Sequence, residues 1–274
     1  SRRQRQMCIR DREKVSAEGA DPEVFAVSVD CAGPRPVTGY LTIPRGAGEK
    51  SLPAHAMYHG YGTRVQKAPK GWGGAIRFDV NAHGYDLGAD KAYYDEFFKN
   101  IKSNGQIYAF DPKQNSNPED AYFNGMVLRL MRSLEFLKSL PQWDGKNLKV
   151  SGSSQGGLQT IWAAALDPDV TEADSGITWC CDFAGPTIGR LGGWRPAYVP
   201  ALNYYDAINH AKRIKCNTLI SRAGLGDYTC PPSGLAALYN NIKAPKKIRW
   251  VQGSTHGFTP KNPQQWIIQD GYDK

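Results

Sequence analysis

No apolar run in this 274-residue chain approaches the roughly 20 residues that a bilayer-spanning helix needs, so no transmembrane helix is expected. The N-terminus lacks the apolar core of a signal peptide. No internal repeat, linker or low-complexity tract interrupts the chain. No Cys-x-x-Cys pair occurs among the six cysteines and the five histidines are scattered, which argues against a zinc site and leaves no metal to assign. Cys180 and Cys181 lie in an apolar run and Cys216 starts another, so buried free thiols are expected. A basic stripe is also lacking. Residues 1–12 hold five arginines and one aspartate, +4 of the formal charge of +8, and the remainder carries only +4. That is too mild and too dispersed for nucleic-acid binding.

Residues 1–12 show neither periodicity nor turn chemistry. They are read as a non-native segment ahead of a single domain over residues 13–274, with the true N-terminus missing. A hydrophobic content of 41% is enough for one sizeable core.

Alternation over residues 24–31 and 37–43, joined by Gly33-Pro34-Arg35-Pro36, predicts an N-terminal antiparallel hairpin. Strands are predicted over residues 52–58, 76–80, 147–151, 177–183, 217–222 and 247–251. Helices are predicted over residues 90–101, 118–140, 158–166 and 235–242, with a closing helix over 264–270. Alternating strands and helices give an α/β fold with a mostly parallel central sheet flanked by helices. Residues 185–200 and 203–210 read as an excursion over the active site, with His210 on the surface.

The chemistry centres on Gly152-Ser153-Ser154-Gln155-Gly156, between a strand-like and a helix-like segment. A nucleophile elbow needs this context: two glycines relieve a sharp turn and Ser154 stands exposed at the strand end. The Gln155 N–H at the helix start would then face a developing oxyanion, and the Tyr61 N–H, in the loop His59-Gly60-Tyr61-Gly62, is the expected second donor. Two later strand-end loops carry Asp227 and His256. His256 is the only histidine after His210, which nearly forces it as the base, with Asp227 as its orienting acid. Asp182 is a rival acid. Trp72 and Trp194 are candidate substrate contacts, and Tyr204 and Tyr205 are further aromatics that could stack on a ring.

With these residues in view, the sequence resembles the acetyl xylan esterase and cephalosporin-C deacetylase group, carbohydrate esterase family 7, over about residues 52–258. The resemblance rests on His59-Gly60-Tyr61, on Gly152-Ser153-Ser154-Gln155-Gly156-Gly157, and on Gly224-Leu225-Gly226-Asp227-Tyr228-Thr229-Cys230-Pro231-Pro232-Ser233. The family usually carries Arg-Gly-Gln where this chain has Asn81-Ala82-His83-Gly84, and His-Glu where it has His256-Gly257. The resemblance implies an α/β-hydrolase fold and a serine esterase that removes acetyl groups from sugar hydroxyls without a cofactor. Its expected partner is a small-molecule or oligosaccharide acetyl ester; localisation is left open, export being compatible with an enzyme acting on plant polysaccharide. A prolyl-oligopeptidase-like serine peptidase and a non-catalytic hydrolase-fold binding protein remain as alternatives.

Overall fold

The computed structural model describes residues 9–68 and 72–269. The chain runs β1 (Ile9–Lys14), β2 (Glu23–Val29), β3 (Val37–Ile43), β4 (Leu52–Tyr58), β5 (Ile76–Val80), α1 (Lys91–Asn100), α2 (Tyr122–Ser139), β6 (Trp143–Ser153) and α3 (Gln155–Leu166). It continues through β7 (Glu172–Gly176), α4 (Ala207–Ala211), β8 (Asn217–Gly224), α5 (Pro232–Asn241), β9 (Lys246–Val251) and β10 (Gln265–Gln269). The described strands form one sheet in the order β1-β2-β3-β5-β4-β6-β7-β8-β9-β10. Strands β5, β4, β6, β7, β8 and β9 are mutually parallel, while β1, β2, β3 and β10 pair antiparallel at the two ends. This is the α/β-hydrolase arrangement, with its N-terminal hairpin at β2 and β3.

Packing follows from the periodicity. On α2 the residues Phe123, Met126, Leu130, Leu134 and Leu137 recur at spacings of three and four, and each is at most 1% exposed. Burying side chains of this size contributes roughly 1.5–3 kcal/mol each before the entropy of ordering them. Leu128 faces away from this stripe and is half-buried. Helix α3 is enclosed on every side, with Gln155 through Ala164 all buried. Its glycines permit this: a Cβ on Gly157 would lie 2.7 Å from the Gly176 carbonyl oxygen.

Three expected elements take another form. Residues 9–12 belong to β1, paired with β2, so that part of the segment read as non-native takes part in the sheet. Residues 1–8 lie outside the described residues. The strand expected over 177–183 is a buried loop, with left-handed backbone at Ile177, Cys180 and Asp182. The strand precedes it as the polar β7, whose Ala173 and Ser175 are small because α3 presses against them. The closing helix is instead β10, an edge strand that sets Trp266 opposite Trp250 and Ile268 opposite Ile248. Residue 270 lies outside the described residues.

The helices are unevenly distributed. Helices α2, α3 and α5 pack on the sheet face that carries Ala56, Val150, Ala173 and Ile220. On the other face the alternating residues Met57, Ser151, Asp174 and Ser221 are half-buried and form the floor of an open groove below the parallel strand ends.

Candidate active site

The elbow is built by exclusion. A Cβ on Gly152 would stand 2.6 Å from the Tyr58 carbonyl oxygen, and one on Gly156 would overlap the same atom. Only glycine lets α3 start this close to β4. Ser154, between them, adopts φ 59° and ψ −119°. A non-glycine residue in that region stores about 1–3 kcal/mol of strain, which the surrounding structure must hold. It is held by hydrogen bonds from Ser154 N–H to the Gly176 oxygen (2.8 Å), and from the N–H groups of Leu158 and Trp179 to the Ser154 oxygen (3.1 and 3.0 Å). The loop expected as a strand therefore backs Ser154 through Trp179.

Ser154 Oγ lies 3.1 Å from His256 Nε2, and His256 Nδ1 lies 3.0 Å from Asp227 Oδ2. The acid and base loops are tied together. The Gly226 N–H donates to the Ser254 oxygen at 3.0 Å, and the Leu225 N–H to the Val251 oxygen at 3.0 Å. Asp227 is 1% exposed, and its Oδ1 accepts the N–H groups of Thr229 and Cys230, both at 2.9 Å. One carboxylate oxygen is thus fixed by backbone and the other is free for the histidine. Asp182, the rival acid, pairs instead with Arg190 at 2.9 Å.

The backbone N–H groups of Tyr61 and Gln155 have no acceptor among the described residues. Both are therefore free to donate, which an oxyanion hole at these two positions requires. Gly60 does not adopt a left-handed backbone, and a Cβ there would meet nothing nearer than 3.8 Å. It does line the pocket, so a side chain would intrude on the space beside Ser154.

His59 serves the loop, with Nδ1 bonded to the Gly60 oxygen at 2.9 Å and Nε2 accepting the Ala82 N–H at 3.1 Å. This pairing fits the neutral Nδ1–H tautomer, and desolvation lowers its pKa to about 4. A residue that the motifs do not mark bridges the segments that carry the Tyr61 and Gln155 N–H groups. The Tyr108 hydroxyl accepts the Gly62 N–H and donates to Gln155 Oε1, each at 2.9 Å. The Tyr61 hydroxyl donates to the Tyr108 carbonyl at 2.9 Å, and the two rings stack at 4.0 Å. Tyr108 therefore joins the Tyr61–Gly62 loop to Gln155. No sequence signal marks it, because it lies in an irregular stretch without a motif.

Ser154 and His256 open into a cavity of about 730 Å³ that Gly60, Tyr61, Thr63, Trp194 and Thr229 also line. Trp194 is 40% exposed and meets Tyr61 edge to face at 4.7 Å. Its N–H donates to the Thr229 oxygen at 3.1 Å, which seats the 185–200 excursion against the acid loop. Trp72 is corrected: it packs against His55 at 5.8 Å, with the Arg77 guanidinium over it at 4.7 Å, in a separate recess further along the sheet. Tyr205 is buried against Phe123 and Trp162, and its carbonyl accepts the Trp162 indole N–H at 3.0 Å. His210 is only 7% exposed rather than on the surface, with Nε2 2.8 Å from the Tyr204 oxygen. The second half of the excursion thus packs behind α3 and not over the site. Cys31, Cys180, Cys181, Cys216 and Cys230 are all free thiols.

A family model described as "Acetyl xylan esterase (AXE1)" matches residues 7–188 and 196–269. The acetyl esterase Axe7A of Xylanibacter ruminicola is 32% identical over 232 residues, 77% of this chain and 50% of that protein. The chain therefore spans about half the length of this curated relative. Among solved structures, an acetyl xylan esterase from Paenibacillus sp. R4 superimposes with a TM-score of 0.70 at 24% identity, covering 92% of this chain and 83% of that one. Acetyl xylan esterase 1 from Thermoanaerobacterium sp. JW/SL YS485 gives 0.71 at 21% identity, with the same coverage. These two likenesses speak to the fold.

Proposed function

This chain belongs to the acetyl xylan esterase family, and on that premise we propose that it removes acetyl groups from carbohydrate hydroxyls through an acyl-enzyme. The observation that carries the proposal is the continuous relay Ser154 Oγ, His256, Asp227, at 3.1 and 3.0 Å, beside two N–H groups without acceptors among the described residues.

The chemistry follows from these positions. His256 Nε2 takes the Ser154 proton as Oγ attacks the acetyl carbon. The carbonyl oxygen becomes an oxyanion held by the Tyr61 and Gln155 N–H groups. His256, now doubly protonated and stabilised by Asp227, gives the proton to the sugar oxygen as its bond to the acetyl carbon breaks, releasing the free hydroxyl. Water then attacks the acetyl-Ser154 ester with the same base, releasing acetate and regenerating the serine.

The cavity volume falls in the range that holds a small ligand. Trp194 offers an exposed aromatic face to a sugar ring, and Thr63, Ser153 and Thr229 add polar groups along the wall. The test is acetate release from acetylated xylo-oligosaccharide, set against cleavage of an aminoacyl p-nitroanilide. Acetate release without anilide cleavage supports the proposal. Preferential anilide cleavage sinks it in favour of a peptidase.

A further inference from the structure

The acid loop contains one chemically distinctive group that ester hydrolysis does not use. Asp227 Oδ1 captures the N–H groups of Thr229 and Cys230, a turn that folds the chain back on itself. The Cys230 side chain thereby returns to the carboxylate. It is 3% exposed. A carboxylate oxygen of Asp227, Cys230 Sγ and a ring nitrogen of His256 all lie within 4.8 Å of one another.

Thiolate, imidazole and carboxylate form the donor set that zinc-group ions prefer. Zinc bonds of about 2.0–2.3 Å place such donors roughly 3–4 Å apart around one ion, so small side-chain rotations gather these three. Two of the three are almost fully buried, which shields the ion's bonds from water.

We propose that Asp227, Cys230 and His256 form an inhibitory binding site for a soft divalent cation, Zn²⁺ or Cd²⁺. Binding forms a metal–sulfur bond as the Cys230 thiol gives its proton to solvent. The ion also occupies a His256 nitrogen and an Asp227 oxygen. Whichever ring nitrogen it takes, the relay is broken: Nε2 can no longer accept the Ser154 proton, or Nδ1 can no longer be held by Asp227. Inhibition is reversible, since a chelator removes the ion and the thiolate regains its proton from solvent. Histidine and cysteine spacing in the sequence gives no sign of this site, because its donors come from two loops and overlap the triad.

The experiment measures ester hydrolysis and direct binding at controlled free Zn²⁺ and Cd²⁺. Wild type, Cys230→Ser, Cys230→Ala and Cys216→Ala are each compared with their own activity in chelator. The wild type should be inhibited and restored by chelator. Both Cys230 variants should need at least about tenfold more metal for half-inhibition, and Cys216→Ala should behave as wild type. Independently of any turnover, Cd²⁺ should raise an ultraviolet thiolate-to-metal band in the wild type that Cys230→Ala lacks. If the Cys230 variants misfold, His256→Ala must weaken Cd²⁺ affinity, read from that band, by at least about tenfold. An uninhibited wild type, equal inhibition of the Cys230 variants, or a band that survives loss of Cys230 or keeps its affinity in His256→Ala overturns the proposal.

Discussion

Replacing Tyr108 by Phe removes one oxygen and leaves the aromatic stack intact. The lost hydroxyl is the acceptor for the Gly62 N–H and the donor to Gln155 Oε1, both at 2.9 Å. Gln155 is buried and its Nε2 already lacks a partner among the described residues, so no alternative bond is at hand. A buried polar group left without its partner costs about 1–3 kcal/mol, and the variant should lose about 2 kcal/mol of stability in denaturant unfolding. The kinetic effect separates positioning from mere packing. Gly62 follows the donor Tyr61, and Gln155 carries the other donor, so both arms of the hole loosen together. Loss of one whole oxyanion donor costs about 10²–10³ in kcat, which sets the ceiling. Misalignment should cost about 10- to 100-fold in kcat on p-nitrophenyl acetate, with KM within about threefold. If Tyr108→Phe loses stability but keeps kcat within about twofold, Tyr108 does not position the hole and this reasoning fails.

Asp227→Asn should lower kcat by about 10⁴, because a neutral amide favours the wrong histidine tautomer, whereas Asp182→Asn should fall by less than about tenfold; the two variants assayed side by side identify the acid. Gly156→Ala drives a methyl into the Tyr58 carbonyl and should yield little soluble protein, or a variant at least about 3 kcal/mol less stable by urea titration. Stability should also fall in acid. His55 and His59 have pKa values lowered to about 3 and about 4 by desolvation, and His83 is held well below its usual range for the same reason. Unfolded imidazole titrates near 6.5, so between about pH 6.5 and 4 the unfolded chain binds protons that the folded chain refuses. The stability these groups contribute is complete above pH 6.5 and declines as pH falls, by up to about 1.4 kcal/mol per pH unit per histidine. Unfolding free energies that stay level from pH 7 to 4.5 would contradict that assignment.

What the sequence disclosed and what it hid differ in physical kind. The elbow was legible because its glycines answer to a steric demand that no other residue meets. Asp227 and His256 were legible as a pair because a parallel sheet delivers its loops to one edge, so strand-end residues meet there. Strand β7 was hidden because its inward positions must be small against α3, which removes the apolar signal, while the loop after it is apolar enough to imitate a strand. Strand β10 was hidden because five residues are too few to separate alternation from a helical turn. Tyr108 and Cys230 carry no periodicity at all. Their roles arise from where loops meet, which only coordinates reveal. Trp72 shows the converse, since an aromatic in a Gly-rich loop invites a binding role and here packs on a histidine and an arginine.

The most direct test of the account is p-nitrophenyl acetate hydrolysis by the wild type and Ser154→Ala, with both proteins shown to be folded. The account predicts turnover by the wild type and a loss of at least about 10⁴-fold in the variant. Full activity in folded Ser154→Ala would contradict it, because the relay built on that oxygen would then not be the route of catalysis.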